Sequence, residues 1–217
     1  MDNLPFDLTG LDSSEVDALK GVYKALKEKF DISIPDDFNV DVNQFDFIRC
    51  YKDQDHCTDI ALGGVLRINN VAGDSYLIFM KVRYYYANSS SHLYRMERLD
   101  TYRYIAWGLA DMKKDFGRVL IRRETFTDRV LSIVHPVELE FEDDKPFSHK
   151  FYVVANDETK ALNSMTWNFR NTIMTIDNPD TLIEIVGNYL IVGDNYWLET
   201  NEVVDSAEMA RKIASIR

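Results

Sequence analysis

The chain has 217 residues, 46% hydrophobic and 28% charged, with a formal net charge of −11. That composition is ordinary for a globular protein and excludes a collagen, a disulfide-dense scaffold and a wholly disordered chain. The acidic balance disfavours nonspecific binding to nucleic acid or to an anionic membrane surface, because like charges repel at long range.

The leading residues Met1-Asp2-Asn3-Leu4-Pro5 are acidic and lack the basic region and apolar stretch of a signal peptide. No run approaches about 18 consecutive apolar residues. The expectation is a soluble, cytoplasmic protein without a membrane span. Asn88-Ser89-Ser90 fits the glycosylation sequon, a chance match without a secretion signal. Residues 1–10 read as an arm. Asp12-Ser13-Ser14-Glu15 resembles a capping box, with Asp12 as N-cap and Glu15 reaching back. Val16, Leu19, Val22, Tyr23, Leu26 and Phe30 follow at helical spacing, so a helix is predicted over 13–30. From Phe45 the period falls to two. Phe45–Arg49 reads as a strand, as does Ile60–Ile68 with a bulge at Gly63-Gly64. After a turn at 69–74, Ser75–Ala87 is a long strand. Tyr94–Leu99, Thr101–Trp107 and Arg118–Arg122 supply further strands. Connections this short predict an antiparallel meander. Pro136 marks a break. Val137–Phe141 alternates, 142–146 turns, and Ser148–Val154 pairs back. A helix is predicted over 157–175, with Ala161, Leu162, Met165, Phe169, Ile173 and Met174 as its buried stripe. Thr181–Val186 and Tyr189–Val192 form a hairpin at Gly187-Asn188, since both residue types tolerate positive φ. Asp205 caps a final helix through Ile216.

Cys50 and Cys57 flank Asp53-Gln54-Asp55-His56, with Asp59 beyond, the densest group of potential ligands in the chain. Zinc sites draw on two separate ligand pairs, and His92, His135 and His149 stand alone. Reduced, metal-free thiols are expected, with no metal and no cofactor. No nucleotide-binding glycine loop, nucleophile elbow or H-E-x-x-H motif occurs. Glu138, Glu140 and Glu142 share one strand face and read as solvated.

The charge is unevenly distributed. Residues 81–123 hold ten basic against four acidic side chains, whereas 1–80 hold seven against fifteen and 124–217 eight against seventeen. Within the basic segment, tyrosines interleave with arginines, and Arg83, Tyr85, Arg95, Arg98 and Arg103 are candidates for an anionic ligand. The planar guanidinium fork suits carboxylate or phosphate. The competing account pairs these arginines with acidic neighbours inside the chain. Nucleic acid is an unlikely partner, since an RNP-type signature is missing.

Leu139-Glu140-Phe141-Glu142, then Phe147, Phe151, Val153, Ala155, Asp157 and Ala161, followed by a helix and Ile183–Val192, resembles a broad family of uncharacterised prokaryotic proteins. Their shared pattern is F-E-x-x-x-F-x-x-x-F-x-V-x-A-x-D-x-x-x-A, then a helix and a hairpin. It covers about 137–193 here; many members look membrane-anchored at the N-terminus, where this chain differs. The resemblance implies no activity. Its residues read as a packing code, with phenylalanines facing one core and Asp157 as an N-cap.

The sequence therefore predicts an α+β fold of antiparallel sheet and about three helices. It is one domain over 1–217, with a subdomain seam near Pro136 between a helix plus β-meander (1–135) and a hairpin-helix-hairpin-helix unit (136–217). The expected role is a noncatalytic binding or interaction domain whose partner is a protein or an anionic small molecule. The alternative is an enzyme of unrecognised class acting on an anionic small molecule.

Overall fold

Helix α1 (Ser13–Lys29) begins where its sequence cap lies: the Asp12 carboxylate accepts the Glu15 amide at 2.9 Å and the Ser14 hydroxyl at 2.7 Å. Leu19, Val22 and Leu26 form its buried stripe. The structure is a computed structural model and describes residues 4–48, 57–69, 73–88, 97–123, 136–194 and 197–216, without the side chains of 86–88 and 97–99. After α1 come β1 (Ile32–Ser33), a 3-10 turn at Val42–Gln44, β2 (Cys57–Ile68), β3 (Ser75–Asn88), β4 (Glu97–Asp111) and β5 (Arg118–Arg123). Then follow β6 (Val137–Glu138), α2 (Lys145–Lys150), β7 (Phe151–Ala155), α3 (Glu158–Ser164), α4 (Trp167–Met174), β8 (Leu182–Val186), β9 (Tyr189–Gly193) and α5 (Thr200–Ala214).

The fold is α+β. Among the described residues nine strands form one sheet in the order β1-β2-β3-β4-β9-β8-β5-β7-β6, with every neighbouring pair antiparallel. The meander runs only through β4. The β8–β9 hairpin then enters between β4 and β5, so strands from both sides of Pro136 share the sheet. The register of β2 on β3 shifts between Leu62 and Gly64, the bulge that the glycine pair predicts. Gly187 turns β8 into β9 with φ +62°, a left-handed conformation that costs glycine nothing.

Successive side chains alternate between the two faces of a strand. One face carries the helices. Leu77, Phe79 and Tyr104 pack there against α1 and α5, and Val119, Ile121, Ile183 and Leu190 pack against Phe147, Phe169 and the apolar side of α5. Close approach is written into β4: a Cβ at Gly108 would sit 2.3 Å from the Ser206 carbonyl oxygen. The opposite face buries Ile78, Met80, Ile105 and Trp107 under Val42, Phe45, Phe47 and Ile48. No helix among the described residues is long and apolar enough to cross a membrane.

Several expectations are corrected. Phe45–Ile48 is not a strand: the 3-10 turn ends at Gln44 and a helical turn starts at Asp46. Phe45, Phe47 and Ile48 are all buried, and the Glu184 carboxylate accepts the Asp46 and Phe47 amides at 2.9 and 2.8 Å, in place of a neighbouring strand. The stretch 137–141 is a strand only at Val137–Glu138, and residues 145–150 are helical because Asp144 caps the Phe147 amide. The predicted helix 157–175 is two. Thr166 caps a new start, and the Arg170 guanidinium donates to the Met165 carbonyl at 2.9 Å, satisfying the backbone at the break. The last helix starts at Thr200, so Asp205 lies inside it and is not its cap. Helices thus number more than the three expected. Tyr94–Met96 and Cys50 lie outside the described residues, and the remainder of the two expected strands at 94–107 is continuous as β4.

Candidate functional site

The β3–β4 ribbon carries the basic, tyrosine-rich segment, and the register sorts its side chains. Arg83 pairs with Tyr102, Tyr85 with Asp100, Lys81 with Tyr104, and Val82 with Arg103. Directly opposed residues share a face. Lys81, Arg83, Tyr85, Tyr102 and Tyr104 therefore point to the helical face, and Arg103 to the other. Arg83 and Arg103, the candidate arginines whose side chains are described, therefore lie on opposite faces.

On the helical face, Arg83 is ion-paired with Asp100 and lies 5.8 Å from the Tyr102 ring centroid. The Asp100 hydrogen bond holds its proton more tightly than usual. Tyr85 is half-buried. Lys81, only 8% exposed, donates to the Asp7 carboxylate at 2.7 Å and to the Thr9 carbonyl, and lies 5.0 Å over the same Tyr102 ring. The arm that supplies Asp7 is pinned further. The Asp7 amide donates to the Gly63 carbonyl at 2.9 Å, and the Tyr104 hydroxyl donates to the Asp7 carbonyl at 2.8 Å. Gly63 must lack a side chain here, since a Cβ would stand 2.2 Å from that hydroxyl. Burial raises the Tyr104 phenol well above its ordinary value, with the Asp7 charge adding to the effect.

On the opposite face Arg103 stacks on Trp197, its guanidinium carbon 4.3 Å from the ring centroid. Trp197 is 40% exposed and meets buried Tyr84 edge-on, centroids 5.1 Å apart. The nearest carboxylate, Glu15, stands 3.8 Å away, beyond hydrogen-bond range, and Arg103 donates no hydrogen bond among the described residues. Glu15 does not complete the expected capping box; its carboxyl lies beside the Tyr104 amide at the edge of β4. Burial raises the Glu15 pKa, opposed by Arg103 and by that amide. β9 covers β4 only from Gly108 to Asp111, so Arg103 sits where the strand has no further partner among the described residues.

Arg95 lies outside the described residues, and Arg98 is placed only by its backbone opposite Ala87. Cys57 is a free thiol. Among the described residues no three His, Cys, Asp or Glu side chains converge as a metal-binding group. Sequence reasoning found Arg103 but missed Trp197, Glu15, Lys81 and Asp7. An exposed tryptophan after a strand and an acidic residue on an apolar arm are weak signals without a fold to join them.

No protein-family model matches the chain, and no curated protein does. Among solved structures, the crystal structure of the mycobacterial trehalose monomycolate transport factor A, TtfA, is similar at 9% identity and a TM-score of 0.45, over 93% of this chain and 95% of that one.

Proposed function

We propose that the protein is a noncatalytic binding domain that takes an anionic group, carboxylate or phosphate, on Arg103 beside Trp197. The observation that carries this reading is the state of that arginine. Stacking on an indole fixes its plane and removes much of the rotamer entropy that binding would otherwise cost. Its donors are left without a hydrogen-bonded carboxylate among the described residues. An arginine so held is prepared for a bidentate oxyanion. Other ion pairs read as structural. Arg118 joins Asp46 and Glu184, Arg170 joins Asp143 and Asp144, and Lys160 joins Asp115.

The test is a panel of inorganic phosphate, citrate and nucleoside monophosphates, read by melting temperature and by tryptophan emission. At least one anion should raise the melting temperature in low salt, and Arg103→Ala should weaken its binding about tenfold or more, the size of one or two charge-assisted hydrogen bonds. If no anion in the panel stabilises the protein, or if Arg103→Ala binds as the parent does, the reading fails.

A further inference from the structure

The arm at residues 4–10 crosses the helical face of the ribbon, and its contacts resemble those of a ligand more than those of a core segment. Asp7, Leu8, Thr9 and Gly10 are exposed along their length. Three groups enter the body. The Phe6 ring lies among Phe79, Tyr23 and Tyr104, with centroids at 4.6, 5.9 and 6.2 Å. The Asp7 backbone bridges Gly63 and Tyr104. The Asp7 carboxylate caps Lys81. Gly10 turns away with φ +75°, beside the Tyr102 ring.

Beneath the arm is a prepared surface. Lys81 is nine-tenths buried, and its side-chain hydrogen bonds go to Asp7 and Thr9, both on the arm. Lys81 and Arg83 approach one tyrosine ring from neighbouring positions of β3. Gly63 and Gly64 remove side chains where Tyr104 and Phe6 lie; at Gly64 a Cβ would meet the Phe6 ring at 2.6 Å. A lysine in such a place, stripped of its carboxylate, would leave a buried charge uncompensated, a cost that an incoming anion relieves.

We propose that the arm is an intrachain plug: Asp7 and Phe6 occupy a site, built from Lys81, Tyr102, Tyr104 and the Gly63-Gly64 bulge, for a carboxylate or phosphate carried on an apolar stem. The arm reports the ligand chemistry itself, an anion next to a ring-sized apolar group. The Asp7 carboxyl is held at about 2 by the Lys81 hydrogen bond first and the Thr9 amide next, so the plug is anionic at any ordinary pH. Release therefore comes from competition, and the closed arm lowers apparent affinity by the fraction of time that it is seated. The site is independent of Arg103, which faces the other way.

The probe is the arm itself, a labelled peptide of residues 4–10 added in trans and followed by fluorescence anisotropy. Full-length Phe6→Ala/Asp7→Asn protein should bind it at least about tenfold more tightly than the parent. The same peptide with asparagine for its aspartate should bind distinctly less well. Lys81 should be protected from an amine-acylating reagent in the parent, react in the double variant and be protected again by the peptide, as read by mass spectrometry. If the double variant unfolds, Asp7→Asn alone, which removes the arm's anion and weakens its hold on the site, repeats the acylation measurement, and Lys81 should then react faster than in the parent. A folded variant that ignores the peptide, binds both peptides equally or leaves Lys81 unprotected by peptide shows the arm to be a structural strap and overturns the proposal. Arg103→Ala should change none of these results.

Discussion

Arg118 joins three parts of one sheet face through a single guanidinium. It donates to Asp46 at 2.6 Å, to Glu184 at 3.3 Å and to the Gln44 carbonyl at 3.0 Å. Both carboxylates are almost wholly buried. Arg118→Ala would remove the cation that two buried carboxylates share, and a loss of about 3–5 kcal/mol is expected in chemical denaturation. Phe151, buried beside Phe147 with centroids 5.3 Å apart, should cost about 3–5 kcal/mol as Phe151→Ala, since its removal leaves a cavity. A loss below about 1 kcal/mol would show that the site collapses freely. Asp7 gives a pH signature. Its folded pKa, about 2, lies below the ordinary 3.8. The unfolded chain therefore takes up the proton first on acidification. The contact contributes fully above about pH 4, and the contribution is lost as pH falls through about 2. Asp7→Asn should flatten the stability–pH curve in that window and leave its neutral limb unchanged in slope; an unaltered acid limb would place the acid sensitivity elsewhere.

At the scale of elements, α5 lies against β4 because small residues face each other. Gly108→Ala should push that helix outward and cost about 1–3 kcal/mol, the range for overpacking; a neutral variant would show the helix free to shift. Thr166→Ala removes the cap that restarts the chain as α4 and should cost about 0.5–2 kcal/mol by thermal melting. Much of the element pattern was legible where it is set locally: the Asp12 cap, the glycine bulge in β2 and the Gly187 turn each follow from backbone chemistry of a few residues. The break at Met165 was not. The apolar stripe from Ala161 to Ile173 continues straight through it, and only Thr166 and Arg170, whose guanidinium also meets Asp143 and Asp144, mark the restart. Phe45 and Phe47 likewise fit a period of two, yet Ile48 is buried as well, so burial on all sides replaced alternation. For the site, the ribbon's charge named Arg83 and Arg103, but strand register put them on opposite faces. Arg83 finds Asp100 and Tyr102 on the ribbon itself, but the neighbours of Arg103 come from α1 and from the segment after β9, contacts that no local spacing encodes.

At the scale of the whole molecule, charge segregation in the sequence is largely undone by folding. The basic ribbon meets the acidic N-terminal third through Lys81–Asp7 and Arg103–Glu15, and itself through Arg83–Asp100. Of these pairs only Arg83–Asp100 lies across the sheet, where opposite charges on one face are stabilising. The strand order carries a consequence for biosynthesis. Of the nine described strands β8 and β9 are made last, yet they lie in the middle of the sheet. Until they arrive, β4 and β5 each present an open edge, and no strand among the described residues joins β1–β4 to β5–β7. Such edges invite pairing with other nascent chains. A chain ending at Thr181 should accordingly remain protease-sensitive and aggregate, and restoring residues 182–193 should bring protection to both halves of the sheet at once. The two halves of the sheet are therefore expected to close together only once the central hairpin has been made, at a moment set by where in the message that hairpin is encoded.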